Sequence, residues 1–592
     1  MHVLATAGHV DHGKSTLVEA LTGMDPDRFE EEKLRGLTID LGFAWATLPS
    51  GREIAFVDVP GHVRFVRNML AGASSVDACL FVVAATEGFR QQSEEHLRIL
   101  ELVGVSHGVV ALTKCALVDE EVRELARLEL AERLAGTFLE TAPVVDTDAV
   151  AGLGLTELVE ALDALTSVAP ESPDVGRPRL FVDRSFAVRG AGTVVTGTLT
   201  GGSIAVGDHL EVVPGPLPEA RPLEVRVRAV QRHRSALPLA PPGRLALNLV
   251  GAQHEQLERG HALVRPGQWE PTRVLDATLR VLDGVGHEVS RRGAYQVHFG
   301  SGHQRARVRV LGGEAIAPGE TGLVRLHFPR RLPLLPGDRY VLREDGRGET
   351  VGGGEVLDVA PVLPARRARP DATVERVVRE WGFVEADLLE RLTGARRPPD
   401  LAGRWVSDPD ARLEASRRLL VAVAAAGPVG LDVATLGDVD RALLDGLEGV
   451  VVRQGRARPA ELDVADPFEG HPYLAALESS PFSPPSPVEA GVDRGELREL
   501  VRLGRVVETG GLYFSSEAVR QGARVLCRLL VDSPEGVSAS QLREALGTSR
   551  KYVLPLLAHF DTSGLTRRRG DLRVAGPRLE EAAAGAGEKA RT

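Results

Sequence analysis

Eight residues near the start of the chain, Gly8-His9-Val10-Asp11-His12-Gly13-Lys14-Ser15, have the types and spacing to hold a polyphosphate. Two glycines bracket four residues and Lys-Ser follows, the pattern G-x-x-x-x-G-K-[ST]. Glycine lets backbone N–H groups converge on phosphate oxygens, and the helix opening at Thr16 adds the positive end of its dipole. Lys14 can reach the β- and γ-phosphates, and the Ser15 hydroxyl can ligate Mg2+. Further on, the apolar run Ile54-Ala55-Phe56-Val57 ends in Asp58-Val59-Pro60-Gly61-His62. A carboxylate in that place can hold Mg2+ through water, and Gly61 lets a backbone N–H approach the γ-phosphate. His62 stands where an attacking water has to be oriented. Between these stretches, residues 30–40 (EEEKLRGLTID) are charged and then abruptly apolar. Thr38 there can offer its hydroxyl to Mg2+ only when a γ-phosphate is present, which would couple loop order to nucleotide state.

The elements that position these residues are readable as well. His2 to Ala7 is a short β-type run, and Thr16 to Leu21 continues as an apolar-patterned helix. Ala78 to Ala85 and Gly108 to Leu112 are further near-continuous apolar strands, with helical periodicity over Ser93 to Leu102 between them. Strands alternating with helices predict a doubly wound parallel sheet over residues 1–168, its site at the carboxyl edge.

At 592 residues the chain is too long for one core. Its three cysteines, Cys79, Cys115 and Cys527, are too scattered for a disulfide framework or a Cys-cluster zinc site and fit a reducing cytosol, so a cytoplasmic location is expected. The N-terminus carries no basic-then-apolar signal, and the longest apolar stretch, Leu419 to Ala426, is too short to span a bilayer, so no membrane partner is expected. A net charge of −11 argues against a uniformly basic nucleic-acid coat but leaves room for a local basic face.

Past the Pro-rich stretch at 169–173, short alternating strands with Gly turns predict two small β-barrels, over 175–265 and 270–362. Pro364 to Pro370 reads as a linker. Over 370–577 short amphipathic helices alternate with brief strand pairs. Arg494 to Leu503 is a helix leading into a hairpin that turns on Gly510-Gly511. Helix, recognition helix and wing then follow at 539–546, 549–554 and 565–574, the winged-helix order. Two such units are clear, and one or two more fit between 370 and 470. Arg550 and Lys551 start the last recognition helix, while Arg567, Arg568 and Arg569 lie at its wing, where cations can meet RNA phosphates.

The motifs GHVDHGKS, RGLTID, DVPGH and the strand end Thr113-Lys114 resemble the translational GTPases related to elongation factor Tu. Within them TAGHVDHGKSTL, EEKLRGLTIDLGFA and DVPGHVRFVRNMLAG are most similar to the selenocysteine-specific elongation factors. SFAVRGAGTVVTGTL and RLALNLVG resemble that family's second domain, GDRYVLRED and TVGGGEVLD its third. SRKYVLPLLAHFDTSGLTRRRG resembles its RNA-binding last winged helix. The resemblance implies a multidomain chain: an α/β P-loop GTPase domain, two β-barrel domains, and C-terminal tandem winged-helix domains. It implies a monomeric, ribosome-stimulated GTPase, with GTP and Mg2+ as cofactors and selenocysteinyl-tRNA, an mRNA hairpin and the ribosome as partners. Residue by residue it places the nucleotide on Gly8 to Thr16, Asp58, Gly61, Thr113 and Lys114, Mg2+ on Ser15, Thr38 and Asp58, and the hydrolytic water on His62. It places Asp40, Arg184 and Arg244 around the selenocysteinyl group, where two arginines favour an ionised selenol over a neutral hydroxyl.

One departure stands out. The family's guanine motif [NT]-K-x-D reads here Thr113-Lys114-Cys115-Ala116, and its later Ser-Ala loop reads Thr147-Asp148-Ala149. Losing a charge-assisted pair to the base costs on the order of 2–4 kcal/mol of guanine preference. The expectation is GTP binding with weakened base discrimination, unless Asp148 compensates. Two rival readings are a general tRNA-carrying translational GTPase, which gives no reason for winged helices, and a non-hydrolysing winged-helix nucleic-acid-binding regulator with a degraded nucleotide site.

Overall fold

Strands that are apolar on both faces can only be buried on both faces, and that requirement builds the first domain. The computed structural model describes residues 1–26, 38, 40–61, 66–73, 76–215, 222–462, 468 and 470–579. In it β1 (His2–Ala7), β2 (Gly42–Thr47), β3 (Glu53–Asp58), β4 (Ala78–Ala84), β5 (Gly108–Thr113) and β6 (Val144–Asp146) form one sheet, in the order β2-β3-β1-β4-β5-β6. Only β2 runs antiparallel to its neighbour; the other pairings are parallel. Helices α1 (Lys14–Thr22), α2 (Val66–Ala73), α3 (Gln91–Leu102), α4 (Glu120–Leu134) and α5 (Leu155–Val168) complete the domain. Two apolar cores result: one holds Leu17, Leu158 and Leu162 against Leu4 and Val82, and the other holds Leu97, Leu100 and Leu130 against Val3 and Val83.

Two six-stranded barrels follow. The first is built from Arg179–Val188, Gly192–Thr200, His209–Val213, Leu223–Arg232, Gly243–Val250 and Ala262–Val264, and closes where His209–Val213 pairs with Leu223–Arg232. Residues 243–249 alternate between buried and half-buried, so every second side chain enters the interior. The second barrel runs from Thr272–Val281 to Glu349–Asp358, which pair with each other. On its outer face, beneath the segment that follows it, the Asp276 carboxylate is buried and accepts two hydrogen bonds from Arg325 at 2.6 and 2.8 Å. The barrels are tied by Arg179, whose guanidinium donates twice to Asp338 at 2.6 Å.

The C-terminal region holds four helix-and-wing units among the described residues. The first, with helices Val374–Trp381 and Ala386–Thr393, shares an apolar core with the second barrel through Val377, Val384 and Leu389. It belongs to the compact unit Met1–Arg412, while Leu413 onward forms a separate one. The expected linker at Pro364 to Pro370 is fastened to the same barrel. Ala365 and Ala368 pack on Leu311, and Arg325 donates to the Leu363 carbonyl at 2.9 Å. In the last unit Ser516–Asp532, Ala539–Ala545 and Arg550–Thr562 precede the hairpin Thr566–Arg569/Leu572–Ala575. The recognition helix runs beyond the expected 549–554 and through Pro555, because Val553, Leu556, Leu557 and Phe560 form one buried stripe that outweighs the missing N–H. The hairpin Val506–Thr509/Leu512–Ser515 turns on Gly510 and Gly511 at φ +57° and +75°, a doubly left-handed turn that glycine adopts freely.

Candidate nucleotide and cargo sites

The phosphate loop joins β1 to α1, and its shape follows from three left-handed residues: Gly8 (φ +134°), Asp11 (φ +63°) and Gly13 (φ +83°). A Cβ on Gly8 would sit 2.1 Å from the Val82 carbonyl oxygen, so glycine is required there. The loop is held from outside itself. Gly8 N–H donates to His96 Nδ1 at 3.1 Å and Val10 N–H to Gln92 Oε1 at 3.1 Å, both acceptors on α3. His12 is buried with Nδ1 3.3 Å from the Val82 carbonyl, and the His9 ring lies 5.0 Å from the His12 ring. Burial lowers the pKa of His12 to about 4 and that of His96 to about 3, with the positive Lys14 adding to both effects. Both imidazoles are therefore neutral at physiological pH. Asp11 and Thr16 are exposed at the two sides of the loop.

Lys14 Nζ donates to the Gly8 and His9 carbonyls at 3.2 and 2.8 Å, and Gly61 closes the other side: a Cβ there would lie 2.6 Å from both Lys14 Nζ and Val10 N. Ser15 Oγ donates to Asp58 Oδ2 at 2.6 Å and lies 2.8 Å from Thr38 Oγ1. Thr6 Oγ1 donates to Asp58 Oδ1 at 2.7 Å and accepts the Val59 N–H at 3.1 Å, which fixes the carboxylate. Two hydroxyls and a carboxylate thus converge as a hard-oxygen set suited to Mg2+. His62 lies outside the described residues. At the base end, Thr113 Oγ1 donates to the His12 carbonyl at 2.7 Å, anchoring the β5 end to the phosphate loop, and Lys114 Nζ meets Glu87 Oε1 at 3.3 Å.

A second cluster sits between the nucleotide domain and the first barrel. Arg184 and Arg244 stack on the Phe43 ring with guanidinium carbons 4.6 and 3.8 Å from its centroid. Arg184 Nε lies 3.9 Å from Asp40 Oδ2 and its guanidinium also donates to the Leu41 carbonyl, while Arg244 pairs with Asp183. Both arginines line a cavity of about 410 Å3 with Trp45, His233 and Arg234. Sequence reasoning missed Arg259, which donates to Asn68 Oδ1 at 3.0 Å and to Asp40 Oδ1 at 3.4 Å, and it missed Phe43 and Asp183. Nothing local marks Arg259, since Asp40 is 219 residues away. Arg550 and Lys551 occupy the exposed first turn of the last recognition helix, and Arg567, Arg568 and Arg569 are exposed on the wing.

Sheet order, phosphate loop and paired barrels define a translational GTPase, and the family comparisons agree. Residues 1–168 match the model for the elongation factor Tu GTP-binding domain, 286–362 that for the selenocysteine-specific elongation factor β-barrel domain, and 529–575 that for the winged helix of elongation factor SelB. The chain is 32% identical to the selenocysteine-specific elongation factor of Escherichia coli (strain K12), over 96% of this chain and 98% of that one. It is 40% identical to that of Desulfomicrobium baculatum over 67% of this chain and 61% of the relative. A crystal structure of a bacterial selenocysteine-specific elongation factor superposes with a TM-score of 0.72 at 27% identity, covering 97% of this chain and 99% of the other. The chain belongs to the selenocysteine-specific elongation factor family. Among the described residues no helix is long and apolar enough to cross a membrane.

Proposed function

We propose that this GTPase carries selenocysteinyl-tRNA to a ribosome at a recoded UGA codon, tethered to the messenger through a hairpin held by its last winged helix. The observation that carries the cargo assignment is the stacking of Arg184 and Arg244 on Phe43 with Asp40 beside Arg184. With Arg259 and Asp183 included, three guanidiniums face two carboxylates, so the cluster keeps an excess positive charge. A selenol is ionised near neutral pH and a seryl hydroxyl is not, so that excess favours the selenium cargo.

Nucleotide state can reach this cluster along the chain. Thr38 is at Ser15 Oγ, and Asp40 is two residues on, at Arg184 and Arg259. Two residues span at most about 7 Å, so the place of Thr38 beside the γ-phosphate and its Mg2+ restrains where Asp40 can stand relative to the arginines. Mg2+ would be held by Ser15, with Asp58 acting through water and Thr38 joining in the triphosphate state. Bound there it would neutralise charge on the β- and γ-phosphates. Lys14 and the N–H groups of the loop would hold the phosphates, Thr113 and Lys114 the base end, and His62 the attacking water. Hydrolysis is stimulated by the ribosome, and the basic groups Arg550, Lys551 and Arg567 to Arg569 grip the hairpin backbone.

The test is binding of selenocysteinyl-tRNA and seryl-tRNA with GTP and with GDP. Tighter selenocysteinyl-tRNA binding only with GTP is expected in the wild type. Charge-neutral replacement of Arg184 and Arg244 together should abolish the preference. Unchanged discrimination in the double variant rejects the pocket assignment.

A further inference from the structure

The base end of the nucleotide site contains a carboxylate exchange. The motif position where a GTPase of this class carries Asp holds Ala116, and the loop that stands for Ser-Ala, Thr147-Asp148-Ala149, holds a carboxylate at Asp148. These residues meet in the fold. The ends of β5 and β6 are zipped together: Thr147 N–H and Oγ1 donate to the Leu112 carbonyl at 2.7 and 3.2 Å, and Cys115 N–H donates to the Thr147 carbonyl at 3.2 Å. One residue further along each loop, Ala116 N–H donates to Asp148 Oδ2 at 3.3 Å. The carboxylate therefore stands beside the backbone of the very residue that lacks one.

Asp148 is oriented from behind. Its Oδ1 accepts the N–H groups of Val150 and Ala151 at 3.1 and 3.0 Å, and its backbone bridges with Leu153 in both directions at 3.0 Å. The side chain is 5% exposed, so its rotamer is set by packing. A carboxylate has about four acceptor sites; Val150 and Ala151 fill those of Oδ1, and Oδ2 carries only the 3.3 Å bond from Ala116, so both Oδ2 sites serve a base whose donors displace that long bond. The neighbouring carboxylates are engaged elsewhere. Asp119 caps α4 by accepting the Val122 N–H at 3.0 Å, Asp146 pairs with Arg127, and Glu87 meets Lys114.

We propose that Asp148 is the base-specificity residue of this GTPase, its carboxylate accepting hydrogen bonds from the guanine N1–H and 2-amino group in place of the missing motif aspartate. The assignment rests on the GTPase reading and replaces the expectation of weakened discrimination with one of retained discrimination. Hypoxanthine lacks the 2-amino group, and xanthine presents a carbonyl oxygen in its place. A carboxylate therefore ranks guanine first, whereas an amide, which can donate to that oxygen, ranks xanthine first.

The experiment is competition of unlabelled GTP, ITP, XTP and ATP against a fluorescent guanine nucleotide on the full chain. The wild type should prefer GTP to ITP by ten- to a hundredfold, roughly the range of one charge-assisted hydrogen bond. Asp148→Asn keeps the acceptor for Val150 and Ala151 and should invert the GTP-to-XTP order. Asp148→Ala should bring GTP and ITP within about threefold, and adding Ala116→Asp to it should restore the preference. Equal GTP and ITP affinity in the wild type overturns the proposal without any variant, as does an Asp148→Asn protein that ranks the nucleotides as the wild type does. A wild type that binds none of the four defeats the GTPase reading itself, a distinguishable outcome.

Discussion

His96 offers a sharp test of how the phosphate loop is held. It is 1% exposed, and its Nδ1 accepts the Gly8 N–H at 3.1 Å, so protonating that nitrogen breaks the bond and sets a cation near Lys14. Burial and the neighbouring charges of Lys14 and His9 bring its pKa down from 6.5 to about 3. The folded value lies below the unfolded one. The stability this residue contributes is therefore fully present above about pH 6.5 and is lost progressively as pH falls toward 3. At pH 5.5 the unfolded chain binds the proton and the folded chain does not, a loss of about 1.4 kcal/mol relative to pH 7.5. His12, lowered to about 4, adds a loss of similar size. His96→Gln retains an acceptor and does not titrate. Urea unfolding of the full chain, read in the transition that GDP shifts, should show the variant losing about 1.4 kcal/mol less than the wild type between pH 7.5 and 5.5. Identical losses would falsify the claim that a buried neutral His96 holds Gly8.

Three further outcomes are expected. Ser15→Ala removes the hydroxyl that joins Asp58 to Thr38, so GTP affinity should fall at least about tenfold with Mg2+ and change little in EDTA, as read by fluorescent GTP titration. Replacing Arg567, Arg568 and Arg569 with Ala should weaken hairpin RNA binding and flatten its logarithmic salt slope by about 0.7–0.9 for each phosphate no longer neutralised, in filter-binding titrations from low to high KCl. Asp276→Ala takes the carboxylate partner from the buried Arg325 guanidinium on the outer face of the second barrel, and should cost about 3–5 kcal/mol in urea unfolding, far more than any exposed pair on the wing.

What the sequence made legible, and what it did not, divides by the range of the interaction. The phosphate loop is local: strand, turn and helix are contiguous, and each residue type has a reason that neighbours alone supply. The residues that position it are not local. His96 reaches Gly8 across 88 residues and Arg259 reaches Asp40 across 219, and neither distance leaves a spacing signal. The strands of the first winged unit, Phe383–Glu385 and Trp405–Ser407, are three residues each, too short for alternation to register, so the 370–470 stretch read as weakly marked. Linker-like composition at Pro364 to Pro370 misled for the opposite reason. Its alanines are small enough to pack on Leu311, and a Pro/Arg-rich string reveals its polar residues before its buried ones. The Ala116 departure is the same lesson at the level of chemistry. Read along the chain it is a lost carboxylate in one motif and an odd aspartate 32 residues later. Only the pairing of β5 with β6 brings the two positions to adjacent ends of one sheet edge. A motif is a record of which atoms surround a ligand, and a fold can deliver the same atoms from a neighbouring loop. The degraded-site reading follows from the one-dimensional pattern; the GTP-to-ITP preference of the wild type decides between it and the Asp148 carboxylate that stands beside Ala116.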